Sequence, residues 1–134
     1  MALKIGVKQL VANANARIRT LSLDEAKAVL DQPGYQFIDI RDPRELERDG
    51  IIPGAFPATR GMLEFWVDPD SPYYKPIFGE DKTFVLFCGG GWRSALATAT
   101  LQDMGLEKVC HLEGGYKAWK DGGGVTAIQT TRSR

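Results

Sequence analysis

The chain has 134 residues, 43% of them hydrophobic and 25% charged, the size and balance of one globular domain with its own core. Lys plus Arg and Asp plus Glu number 17 each, so no net field steers the chain toward nucleic acid or an anionic membrane, and any anion preference must be local. Apolar runs are too short and too broken by charge to span a bilayer, and the N-terminus lacks the pattern of a secretion signal. Two cysteines, Cys88 and Cys110, sit at the ends of different predicted strands. They make no disulfide framework, and a reduced, cytoplasmic chain is expected.

In chain order, helical periodicity covers residues 3–16, with Leu3, Val7, Leu10, Val11 and Ala14 on one side. Residues 18–22 read as a short strand. Ser22 and Glu25 form a capping-box pattern that opens a helix over 23–31, stopped at Pro33-Gly34. Residues 35–40 read as a buried strand. Asp42-Pro43 then starts a short helix that ends at Gly50. IIPGAF is a loop with room for a brief strand, 61–67 a short helix, and 68–82 an irregular connection. The apolar run 83–87 is the clearest buried strand. A glycine run over 88–91 leads to a helix from Arg93 to Met104, a strand over 109–112, and a last helix, YKAWKD. The tail after Gly122 is expected to fray at its end.

Strands and helices alternate through short connections, which predicts an α/β fold: a mostly parallel central sheet with helices on both faces. Ligands in such sheets bind beyond the carboxyl ends of the strands. Cys88 lies at one of these ends, followed by G-G-G-W-R-S. Glycines let successive backbone N–H groups converge on one concave site, and the helix that follows adds its own free N–H groups. Such donors favour a thiolate without a histidine base, and Arg93 adds charge and a two-pronged fork for an anion. The competing reading is a buried structural cysteine before a glycine turn. A nucleotide P-loop is a weaker reading still, because no Lys follows the glycines.

The sequence C-G-G-G-W-R-S resembles the active-site loop of the rhodanese superfamily. FIDIRDPRELERDGIIPGA and LEGGYKAW resemble the family's first and closing signatures, and the three blocks cover residues 35–122 in order. The resemblance implies a rhodanese-like three-layer sandwich over 18–126, with an N-terminal helical extension at 1–17 and a tail at 127–134. It implies that Cys88 is the nucleophile that carries sulfur as a persulfide, with Arg93 beside it. Gly89, Gly90, Gly91, Trp92 and Ser94 would line the substrate loop, and Asp39 and Arg41 would support its base. The donor implied is thiosulfate or another sulfane-sulfur compound, and the acceptor a small thiol, cyanide or a protein. No cofactor or metal is implied, and no nucleic acid or membrane partner. Family members often have His where this chain has Ile51, a departure expected to affect packing only.

Two other readings stay open. Cysteine phosphatases and arsenate reductases use a C-x5-R loop, one residue longer than Cys88 to Arg93 here. A sulfur carrier that serves a partner protein would look the same in sequence. His111, the lone histidine, reads as a packed or edge residue, and Cys110 as core. Trp92 is expected at the pocket rim, while the aromatic residues of 60–82 are expected to pack.

Overall fold

The computed structural model describes residues 2–129. Thirteen short elements follow one another, in the order α1 Val7–Asn15, β1 Arg19–Leu21, α2 Leu23–Val29, β2 Tyr35–Asp39, α3 Pro43–Asp49, β3 Phe56–Pro57, a 3₁₀ turn Arg60–Met62, α4 Leu63–Val67, a 3₁₀ turn Pro76–Gly79, β4 Thr83–Phe87, α5 Trp92–Asp103, β5 Val109–Leu112 and α6 Gly115–Asp121. Both predicted caps form. Ser22 Oγ accepts from the Glu25 N–H at 3.1 Å while the Glu25 carboxylate accepts from the Ser22 N–H, opening α2. At α3 the Asp42 carboxylate accepts from the Arg44 N–H and Glu45 Oε2 accepts from the Asp42 N–H.

All five strands pair in parallel, in the order β1-β5-β4-β2-β3. A parallel strand is covered on both faces, so β2, β4 and β5 read as continuous apolar runs. Alternate side chains divide between the two faces. Ile38, Leu86, Phe84 and Cys88 pack with Leu63 of α4 and with Ala97 and Leu101 of α5. Phe37, Val85, Phe87 and Cys110 pack on the other face with Ala26 of α2 and with Tyr116 and Trp119 of α6. These layers form the three-layer α/β architecture the sequence predicts.

Several boundaries differ from expectation. The first helix begins at Val7 rather than residue 3, because Gly6 is extended. Of its predicted apolar side only Val11 and Ala14 are buried, against the small Ala95 and Ala99 of α5, while Leu3, Val7 and Leu10 stay exposed. Two alanines offer a narrow landing strip. The connection 68–82 is not wholly irregular, since the turn Pro76–Gly79 buries Phe78 with its ring 5.5 Å from that of Phe84. Ile51, in place of the histidine common in the family, pairs antiparallel with Ala127 through two backbone bonds of 2.8 and 2.9 Å. The frayed end expected of the tail, from residue 130 on, lies outside the described residues.

Candidate active site

β4 ends at Phe87, so Cys88 is the first residue past the carboxyl edge of the central strand. Its side chain is buried, and Sγ accepts hydrogen bonds from the N–H of Gly91 at 3.2 Å and of Ser94 at 3.4 Å. The Ser94 hydroxyl lies 3.6 Å away. The turn depends on Gly91, whose φ of +105° is the left-handed conformation that other residues rarely adopt. It forms the N-cap of α5, so the first free N–H groups of that helix and the sulfur meet.

A second helix end braces the loop from outside. The Tyr116 and Lys117 N–H groups at the start of α6 donate to the Cys88 and Gly89 carbonyls at 2.7 and 3.1 Å. With its carbonyls tied outward, the loop keeps N–H groups for its interior. Gly115 permits this approach: its φ is +65°, and a Cβ there would lie 2.5 Å from the Cys88 carbonyl oxygen.

Arg93 departs from expectation. Its guanidinium already holds the Glu45 carboxylate with two bonds of 2.8 and 3.0 Å, so its fork is not free for an anion. That guanidinium holds the Glu45 carboxyl below the usual carboxylate range, and Glu45 first, then the nearby Cys88, raises the Arg93 pKa. Glu45 is a site residue that the sequence reading missed, although its capping-box spacing from Asp42 fixed its position.

Asp39 and Arg41 sit together under the loop, both buried. Arg41 donates to the Asp39 carboxylate at 2.7 and 3.0 Å and to the Gly50 carbonyl at 2.9 Å, and stacks 4.1 Å from the Tyr116 ring centroid. Two clefts flank the loop. One of about 610 Å³ is lined by Gly90, Gly91, Trp92, His111 and Glu113, with half-exposed Trp92 on its rim. The other, about 220 Å³, is lined by Arg41, Glu45, Gly89, Tyr116 and Lys117.

His111 is packed, as expected, but it is also within reach of the loop. Its Nδ1 is 2.9 Å from Ser94 Oγ. Burial pushes its pKa down to about 4, so the ring is neutral near pH 7. The strand pairing that carries it there could not be read from one segment, since it depends on β5 lying beside β4. Cys110 belongs to the opposite face of the sheet, where burial pushes its thiol up to about 11. Among the described residues no group of three or more His, Cys, Asp or Glu gathers to hold a metal.

Chemically, the loop offers directed N–H donors to the Cys88 sulfur in a partly enclosed setting. Residues 22–122 match the rhodanese-like domain. The chain is 36% identical over 91 residues to a tRNA uridine(34) hydroxylase of Mesorhizobium japonicum, covering 66% of this chain and 28% of that protein. It is 26% identical over 112 residues to the mitochondrial protein HIGH ARSENIC CONTENT 1 of Arabidopsis thaliana, covering 79% of this chain and 64% of that one. The chain thus spans less than two-thirds of each of these relatives.

Among solved structures, a protein of unknown function from Rhodopseudomonas palustris, described as a possible tyrosine phosphatase, is 54% identical with a TM-score of 0.91, over 95% of this chain and 98% of that one. The polysulfide-sulfur transferase homodimer of Wolinella succinogenes is 28% identical with a TM-score of 0.69, over 95% and 90%. A thiosulfate sulfurtransferase of Pseudomonas aeruginosa is 25% identical with a TM-score of 0.68, over 83% of this chain and 19% of that one. With its match covering most of the length and its cysteine loop at the end of the central parallel strand, the chain belongs to the rhodanese-like domain family.

Proposed function

We propose that this chain is a sulfurtransferase that moves sulfane sulfur from thiosulfate, or a similar donor, through a Cys88 persulfide to a thiol or cyanide. The carrying observation is the Cys88 Sγ held between the Gly91 and Ser94 N–H groups. In the first half-reaction the thiolate attacks the outer sulfur of thiosulfate. A sulfur–sulfur bond forms to Sγ, the sulfur–sulfonate bond breaks, and sulfite leaves with that bond's electron pair. In the second, the acceptor attacks the outer persulfide sulfur and the electron pair returns to Cys88 as thiolate. Covalent storage splits one transfer into two easier steps.

The same donors serve both anions, because they face the sulfur whether it is thiolate or persulfide. Gly89, Gly90 and Trp92 shape the approach. Arg93 supplies positive charge beside the sulfonate while its fork stays on the Glu45 carboxylate. Arg41, paired with Asp39, stacks on Tyr116, whose N–H donates to the Cys88 carbonyl and so ties the pair to the loop. The residues themselves supply all the chemistry, and the reading suits a reducing compartment such as the cytoplasm.

One relative's description favours a second reading, phosphate ester hydrolysis. Cys88 and Arg93 are separated by four residues, one fewer than in C-x5-R loops, which narrows the cradle for a tetrahedral phosphate. Delivery to a partner protein uses the same persulfide and differs only in the acceptor. Steady-state assays with thiosulfate and cyanide, beside an aryl phosphate, separate the classes. Sulfite release dependent on Cys88 is expected; phosphate release without sulfur transfer would reverse the assignment.

A further inference from the structure

His111 is a buried titratable group that the proposed reaction leaves unused. It stands on β5 with Nδ1 2.9 Å from Ser94 Oγ, and Ser94 Oγ in turn lies 3.6 Å from Cys88 Sγ and 3.3 Å from the Gly91 carbonyl oxygen. The serine has one hydroxyl proton for three neighbours. Which neighbour receives it depends on which imidazole nitrogen carries hydrogen.

The far side of the ring decides this. His111 Nε2 is buried and has no hydrogen-bond partner among the described residues. An orphaned buried N–H is rarer in folded proteins than an under-satisfied acceptor, so Nε2 is better left as a bare lone pair. The hydrogen then sits on Nδ1, which donates to Ser94 Oγ. Ser94 is freed to turn its own proton toward the Gly91 carbonyl or Cys88. An anionic sulfur wins that competition, because a charge-assisted bond is about twice as strong as a neutral one.

We infer that His111 is a positioning residue that, through Ser94, aims a hydroxyl donor at the Cys88 sulfur and so adds a third donor to the two backbone N–H groups. The opposite tautomer would take the Ser94 proton for itself and leave the sulfur with two. Burial acts in the same direction, since it keeps the ring neutral across the physiological range, with a pKa near 4. The assignment rests on Cys88 working as an anion, as the proposed function requires, but not on thiosulfate being the donor.

Other charged groups about the loop include Arg93 of α5, Glu45 of α3 and Arg41 past β2, Glu25 and Glu113 at the cleft beside His111, and Asp49, Lys117, Lys120 and Asp121 at the second cleft. None changes in the variants below, so their influence on Cys88 is common to all of them.

Two measurements test the assignment. The chain has one histidine, so nitrogen-15 NMR of tag-free protein at neutral pH reads its tautomer without ambiguity, and hydrogen on Nδ1 is expected. The ultraviolet absorbance of the thiolate, with the Cys88→Ser titration subtracted, reads the Cys88 midpoint. Ser94→Ala and His111→Phe should each raise it by about one pH unit. His111→Asn, whose amide N–H can replace Nδ1–H, should restore it. Hydrogen on Nε2, or a folded His111→Phe with an unmoved midpoint, would overturn the assignment. Should His111→Phe not fold, the tautomer and the Ser94→Ala midpoint decide, and failure of either overturns it. Loss of the thiosulfate reaction with both results intact would sink the proposed donor and leave the assignment of His111 standing.

Discussion

Arg41 brings a full charge into the interior, where its Nε and Nη2 donate to the Asp39 carboxylate and the Gly50 carbonyl and its face meets the Tyr116 ring. Such a pair adds little net stability against an apolar substitute, but removing one partner strands the other. Arg41→Leu leaves the Asp39 carboxylate buried without its cation. It should cost on the order of 3–5 kcal/mol in urea unfolding; a loss below about 1 kcal/mol would mean that water or another donor replaces the guanidinium. At this scale the sequence was uneven. Asp39 and Arg41 could be found because they lie in a recognisable signature. Glu45 could not be paired with Arg93, because 48 residues separate them and only the parallel β2–β4 pairing brings the start of α3 to the loop.

Two helix starts clamp one loop between them, and this determines the shape of the site. Ser94 in the first turn of α5 and its N-cap Gly91 give their N–H groups to the sulfur, and α6 gives its own to the carbonyls of Cys88 and Gly89. Gly115 is where the second contact is tightest. Gly115→Ala must bear a positive φ and a Cβ against two carbonyl oxygens, 2.5 and 2.7 Å away. It should cost roughly 2–4 kcal/mol and lower the melting temperature by about 10 °C. Sulfur transfer should fall by more than the folded fraction does, because the loop moves first. An unchanged melting curve would show that α6 does not brace the loop. The capping boxes, the strand runs and the glycine turn were all legible, since each is local chemistry. The extent of α1 was not, because periodicity marks an apolar side but does not say how much of it finds a partner.

For the whole molecule, acid stability divides into two windows. His111 has a folded pKa near 4, depressed from 6.5 by burial. Between those values the unfolded chain binds a proton that the folded chain refuses, so stability is full above about pH 6.5 and falls as pH drops toward 4, by up to about 1.4 kcal/mol per pH unit. Glu45 is depressed by Arg93 from 4.5, so its share is present above about 4.5 and is lost only at lower pH. Urea midpoints across pH 4 to 7 should therefore slope for the wild type and flatten in His111→Asn. Equal slopes would place His111 in water rather than in the sheet. The layered α/β order was readable from alternating elements, but the strand order β1-β5-β4-β2-β3 was not, and that order alone sets His111 beside the loop.

The central claim is that Cys88, held by backbone donors, carries sulfur. The most direct test is intact and peptide mass spectrometry after brief thiosulfate treatment without reductant. One added sulfur atom on the Cys88 peptide, removed by cyanide and absent in a folded Cys88→Ser variant, is the predicted result. Wild-type protein that stays unmodified, or a sulfur found on the Cys110 peptide instead, would contradict it.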